Sequence, residues 1–112
     1  MEKNAKIVNL TPHKVVVLDD NNNVVAEFAS EGVIRLSEER QLIGQINGIP
    51  LYIKRFGTTV ALPPQREGVY YIVSLPVAQA FPDRSDFIVP DQVVRDNEGR
   101  IIGCRGFTRP TP

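Results

Sequence analysis

Asn47-Gly48 stands between two runs of strand-forming residues, 41–46 and 49–56. Asn-Gly takes up the left-handed backbone that a two-residue hairpin turn demands, and no other dipeptide in the chain constrains its surroundings as strongly. The two runs are therefore expected to pair antiparallel, with Pro50 pushing its strand toward a sheet edge because proline cannot donate to a ladder. The same logic reaches backwards. The β-branched run 14–18 and the run 24–28 flank Asp19-Asp20-Asn21-Asn22-Asn23, a loop rich in residues that tolerate left-handed geometry, and read as an earlier hairpin.

Shorter strands are expected at residues 6–10, closed by Thr11-Pro12, and at residues 33–36, with Val33 and Arg35 on one side and Ile34 and Leu36 on the other. Ser37-Glu38-Glu39-Arg40 admits a helical turn, since a serine hydroxyl caps free amides and acids suit a helix start. A further strand over residues 57–62 leads into the rigid connection Pro63-Pro64-Gln65-Arg66-Glu67-Gly68. Residues 69–73 form the most apolar, aromatic run and are placed centrally. Ser74 ends that strand, and a short helix is expected over residues 76–81, Pro76 being tolerated in a first turn and Pro82 stopping it. Residues 87–89 make a strand that Pro90 interrupts, and 93–95 with 100–104 a last hairpin over Asp96-Asn97-Glu98-Gly99, before a partly ordered tail at 107–112. The fold class is mainly β, a β-rich α+β arrangement: a small antiparallel sheet or partly open barrel of hairpins with one short helix, in a single domain over residues 1–112.

Thirteen basic residues balance thirteen acidic ones, which argues against DNA or an acidic membrane as partner. Nine of the bases are arginine and no lysine lies beyond Lys54, so the C-terminal half carries its positive charge as guanidinium, suited to carboxylate or phosphate. The single Cys104, among apolar neighbours, reads as a buried small hydrophobe and excludes an internal disulfide; with one histidine, His13, a structural zinc site is not expected. No apolar run resembles a leader or a membrane span, and a cytoplasmic location is expected.

Chemistry is expected where the 69–73 strand meets the helix at Ser74. The functional reading is an anionic, nucleotide-like ligand held by Ser74, Arg84 and Arg105, with Tyr70 or Tyr71, Phe81 or Phe107 as a stacking face and Thr11, His13 and Arg109 lining the site. The competing reading makes Ser74 a cap, pairs Arg84 with Asp83 or Asp86, and puts the aromatics in the core. His13 could act as a general base, but a histidine after a Thr-Pro corner is more often structural, its ring bonded to backbone and holding the turn. Asp83, Asp86, Asp91 and Asp96 match no calcium-loop or hydrolase spacing and read as turn formers. Catalytic residues, metal and cofactor are all expected to be absent.

The segments Asn9-Leu10-Thr11-Pro12-His13, Tyr71-Ile72-Val73-Ser74, Asp83-Arg84-Ser85-Asp86 and Arg95-Asp96-Asn97-Glu98-Gly99-Arg100 through Gly103-Cys104 resemble a family of small uncharacterised proteins of bacteria and their phages. By analogy of size and context, the resemblance implies a phage-type anti-defence sponge in the host cytoplasm. Such a protein is a homo-oligomer that sequesters a cyclic-nucleotide or cyclic-ADP-ribose-type signal without cleaving it. Two alternatives stand beside it: a protein-protein interaction module acting by strand-edge pairing, and a small hydrolase using His13 with Asp86.

Overall fold

The structure, a computed structural model, describes residues 4–58 and 62–110. Its elements are β1 (Lys6–Asn9), β2 (Val15–Leu18), β3 (Val24–Phe28), β4 (Leu36–Ile46), β5 (Ile49–Thr58), β6 (Val69–Ile72), α1 (Leu75–Ala80), β7 (Phe87–Arg95) and β8 (Ile101–Thr108). The fold is β-rich α+β with one short helix, as expected. Six strands form one sheet in the order β1-β6-β7-β8-β2-β3, and β4 and β5 form a two-stranded ribbon of their own.

Hairpins account for only part of the large sheet. β2–β3 and β7–β8 are antiparallel, but β1 runs parallel to β6, β6 to β7, and β8 to β2. The parallel β6–β7 step follows from α1, because a helix between two strands carries the chain back to the starting end. β1 and β3, the outer strands, approach at a single parallel bridge between Asn9 and Ser30, so the sheet curls without closing.

Two clusters fill the two faces. Ile34, Tyr71, Val73, Val77, Ala78, Phe87 and Val89 pack under α1, and Val15, Ile72, Ile88 and Cys104 on the other side. Each fully buried aliphatic or aromatic side chain contributes about 1.5–3 kcal/mol. Gly103 lets β8 press against β2: a Cβ there would lie 2.9 Å from Leu18 and from the Val16 carbonyl oxygen.

Several expectations change. Residues 31–35 are not a strand, although Ile34 is buried as the alternation required; the strand begins at Leu36 and takes in Ser37 to Arg40, so no helical turn forms there. Of the strand expected over 57–62, Gly57 and Thr58 are the end of β5, Leu62 lies in no strand, and residues 59–61 lie outside the described residues. Pro90 does not interrupt β7. Beyond Ile88 that strand has left β6 behind, and one side of it needs no donor. β8 continues through Phe107, whose ring packs against Phe28, into the stretch expected as tail.

The second hairpin is where the fold departs most from a packed sheet. Asn47 (φ 52°) and Gly48 (φ 79°) make the expected turn, and ten register pairs run from Ile46–Ile49 back to Leu36–Thr58, with a bulge between Leu42 and Gly44. Neither strand joins the large sheet. The result is an arm, visible in dimensions of 56 × 38 × 23 Å and a radius of gyration of 17.3 Å, against about 13 Å for a compact chain of this length.

Candidate functional site

The expected site residues do not converge on one pocket. Thr11, His13 and Ser74 do share a cleft of about 590 Å³, together with Pro12, Leu75, Val89, Pro90, Asp91 and Thr108. Ser74 precedes α1 in extended backbone and makes no side-chain capping bond. α1 is only six residues long, so its first turn offers little dipole to an anion. His13 is exposed and its ring has no hydrogen-bond partner among the described residues. The corner is held by its backbone carbonyl, which accepts from Asn9 Nδ2 at 2.8 Å and lies 3.0 Å from the Thr11 hydroxyl oxygen. The structural reading of His13 thus holds for its main chain and not for its ring.

Asn9 is the residue that organises this corner. It is fully buried. Its Nδ2 also donates to the Phe28 carbonyl at 2.9 Å, and its Oδ1 accepts from the Thr11 amide at 3.0 Å and hydroxyl at 2.7 Å. One amide group therefore joins the end of β1, the start of β2 and the end of β3. The Asn-Leu-Thr-Pro-His segment is a clamp between sheet edges.

Arg84 points into the fold. Its Nε and Nη2 grip the Asp86 carboxylate at 2.9 and 2.8 Å, Nη2 also donates to the Pro63 carbonyl at 2.8 Å, and the guanidinium lies 4.3 Å from the Phe87 ring centroid. The hydrogen bond to Asp86 holds the Arg84 pKa above its ordinary value. Side-chain exposure is 16% for Arg84 and 5% for Asp86, which makes this a buried pair with little left over for a ligand. Tyr71 is core: its ring meets Phe87 edge-on and its hydroxyl donates to the Pro64 carbonyl.

Arg105 lies elsewhere, bracing the β2–β3 turn by donating to the Asp19 carbonyl and, at 2.8 Å, to Asn22 Oδ1. That turn is also tied from within. The Asn23 and Asn21 amides donate to Asp19 Oδ1, the Asn23 contact being the main reason the carboxyl is held below its ordinary range. Asp96 repeats the device in the β7–β8 turn with the Glu98 and Arg100 amides. Of the four acids read as turn formers, Asp83, Asp86 and Asp96 lie in turns, Asp86 being also the buried partner of Arg84, while Asp91 lies within β7. Arg109 is exposed and borders a third region, a cleft of about 370 Å³ with Gln65, Arg66, Ser85 and Asp86. Asp86 and His13 thus border different clefts, and burial pushes the Cys104 thiol up, away from thiolate chemistry. Among the described residues no cluster of His, Cys, Asp or Glu is arranged to hold a metal ion, and no helix is long and apolar enough to cross a membrane.

The Pro50 strand is expected as a sheet edge open to a partner; as a separate arm it exposes its faces as well, which the sequence does not reveal. Strand alternation and the register put Ile46, Ile49, Leu51 and Ile53 on one face of the ribbon, with Gln41 and Gly44, and the Glu39–Arg55 pair nearer its base. Leu42, Pro50, Tyr52 and Phe56 share the other face with Glu38, Arg40, Gln45 and Lys54. The four residues of the aliphatic face are between 39% and 66% exposed. The available signal was the two-sided apolar pattern around Asn47-Gly48, which in a lone ribbon leaves nothing to cover it.

Comparison with family models, curated proteins and solved structures found no match.

Proposed function

We propose that this chain is a non-catalytic interaction module that acts through the β4–β5 arm. The observation that carries the reading is an aliphatic face of four residues, with two strand edges unpaired among the described residues, on an element that meets the core only at its base through Leu36. Soluble proteins rarely expose contiguous apolar surface of this kind except where a partner binds. Unpaired edges add a row of free backbone donors and acceptors that a partner strand can complete. The rest of the protomer holds the arm out, its internal arginines serving the fold.

A photo-reactive benzoylphenylalanine at Tyr52 or at Ile53, in the full chain produced in cells, is expected to give covalent protein adducts above the monomer mass. The same probe at Glu98, in the β7–β8 turn, is expected to give none. No adduct from either arm position removes the reading.

A second reading retains the small anionic, nucleotide-like ligand, sequestered intact. What favours it is the cleft of about 590 Å³ on which Thr11, His13 and Ser74 do converge. Arg84 and Arg105 lie outside its lining, so in this reading the ligand is held by hydroxyls, backbone and the imidazole. An intact nucleotide released from the purified protein by denaturation would support it.

A further inference from the structure

We infer that the occupant of the arm is the arm of another copy of this chain, the β4 edge of one protomer lying along the β5 edge of the next with the isoleucine face turned inward. The inference rests on the interaction reading above and names its partner.

Three observations point to a copy of the same chain. First, a two-stranded ribbon is at best marginally stable in water, and this one has apolar residues on both faces, so it needs cover whenever it is folded. A second copy is the partner present wherever the chain is made.

Second, the two edges differ in charge. β4 carries Glu38 and Glu39 near the base of the arm, and at the same level β5 carries Lys54, 3.9 Å from Glu38 within the ribbon, and Arg55, opposite Glu39, with Arg40 the one base on the acidic strand; both pairs are exposed enough to serve a second neighbour as well. Joining β5 to β5 in parallel would bring Lys54 and Arg55 against their own kind. Joining β4 to β5 sets acids near bases and continues the antiparallel ladder.

Third, the area requires both face and edge. Ten register pairs give a ribbon about 34 Å long and about 10 Å wide, or roughly 350 Å² in plan. Faces alone fall short of the roughly 600 Å² per partner found in the smaller stable interfaces. Edge pairing adds the missing contact. A β4-to-β5 contact is head to tail, so it closes a ring when the rotation allows, and the inside of a ring of ribbons is where the isoleucine face is hidden from water. The mixed face, with Lys54, Arg40, Glu38 and Gln45 among its aromatics, is the one suited to the outside.

The test is the solution mass of the purified full chain by light scattering and native mass spectrometry. The wild type is expected at a whole multiple of 12.5 kDa greater than one. The double variant Ile49→Glu, Ile53→Glu is expected at the monomer mass, with Cys104 still slow to react with a thiol reagent, showing that the large sheet has kept its fold. Val25→Glu, an equally exposed apolar site outside the arm, is expected to leave the assembly intact. Lys54→Glu with Arg55→Glu should weaken assembly at least tenfold, and adding Glu38→Lys and Glu39→Lys to the same chain should restore it. A wild type that is monomeric at 100 μM overturns the inference. If the Tyr52 probe still captures a different protein, the interaction reading survives that result, whereas loss of both would remove both.

Discussion

Asn9→Ala is expected to destabilise the protein by about 3–5 kcal/mol, measured by urea or thermal unfolding. The side chain makes four hydrogen bonds from a fully buried position. Each is worth about 1 kcal/mol net, and a buried group left unpaired costs about 1–3 kcal/mol. After the substitution the Phe28 carbonyl and the Thr11 amide lose partners that water at a closed corner replaces poorly. The midpoint should fall by roughly 15–25 °C, at several degrees per kcal/mol for a domain near this size. Asn9→Asp keeps the acceptor but loses both donated bonds and buries a charge, so it should be no milder. Thr11→Val removes the hydroxyl's bonds but spares the amide's, and an effect as large as that of Asn9→Ala would show that the clamp is misassigned.

Asp86→Ala is expected to cost a similar 3–5 kcal/mol, because it strands the Arg84 guanidinium in a largely buried site with only the Pro63 carbonyl and the Phe87 ring beside it. Arg84→Ala should be comparable in size, for the mirror-image reason. Replacing the pair together, Arg84→Met with Asp86→Leu, should recover most of the loss, since an apolar pair of similar volume removes both desolvation penalties. That cycle separates a fold role from a ligand role: strong coupling in unfolding free energy is the expected result, and additive, small effects would contradict it. An Arg84 variant that bound any ligand poorly would for the same reason report on folding as much as on contact.

What could be read from the residues divides along sequence distance. Asn47-Gly48, the Asp19–Asn23 loop and the Asp96–Gly99 loop each carry their turn chemistry locally, and all three hairpins form where expected. The pairing of Lys6 with Val69, or of Val17 with Cys104, joins segments with no local signal between them, and so the parallel half of the sheet was not legible. Pro90 misled because a proline breaks a strand only where its nitrogen faces a partner. Ser74, Thr11 and His13 were grouped correctly in space, but the guanidiniums were not. Asp86 looked like any acid in a turn, and only the packing of Phe87 and Tyr71 shows that its carboxylate is inside. The arm was legible as a hairpin and illegible as an arm, since exposure depends on what the other strands leave unpaired.

Arg105, on the last strand, braces a turn 86 residues earlier in the chain, and this sets the order in which the protein can assemble as it is synthesised. β1 waits for β6, and β2 for β8, so the large sheet cannot be completed until the C-terminal strand has emerged. The ribbon around Asn47-Gly48 needs only its own neighbours. Its pairing is local, so its isoleucine face is presented while the rest of the chain is still unpaired.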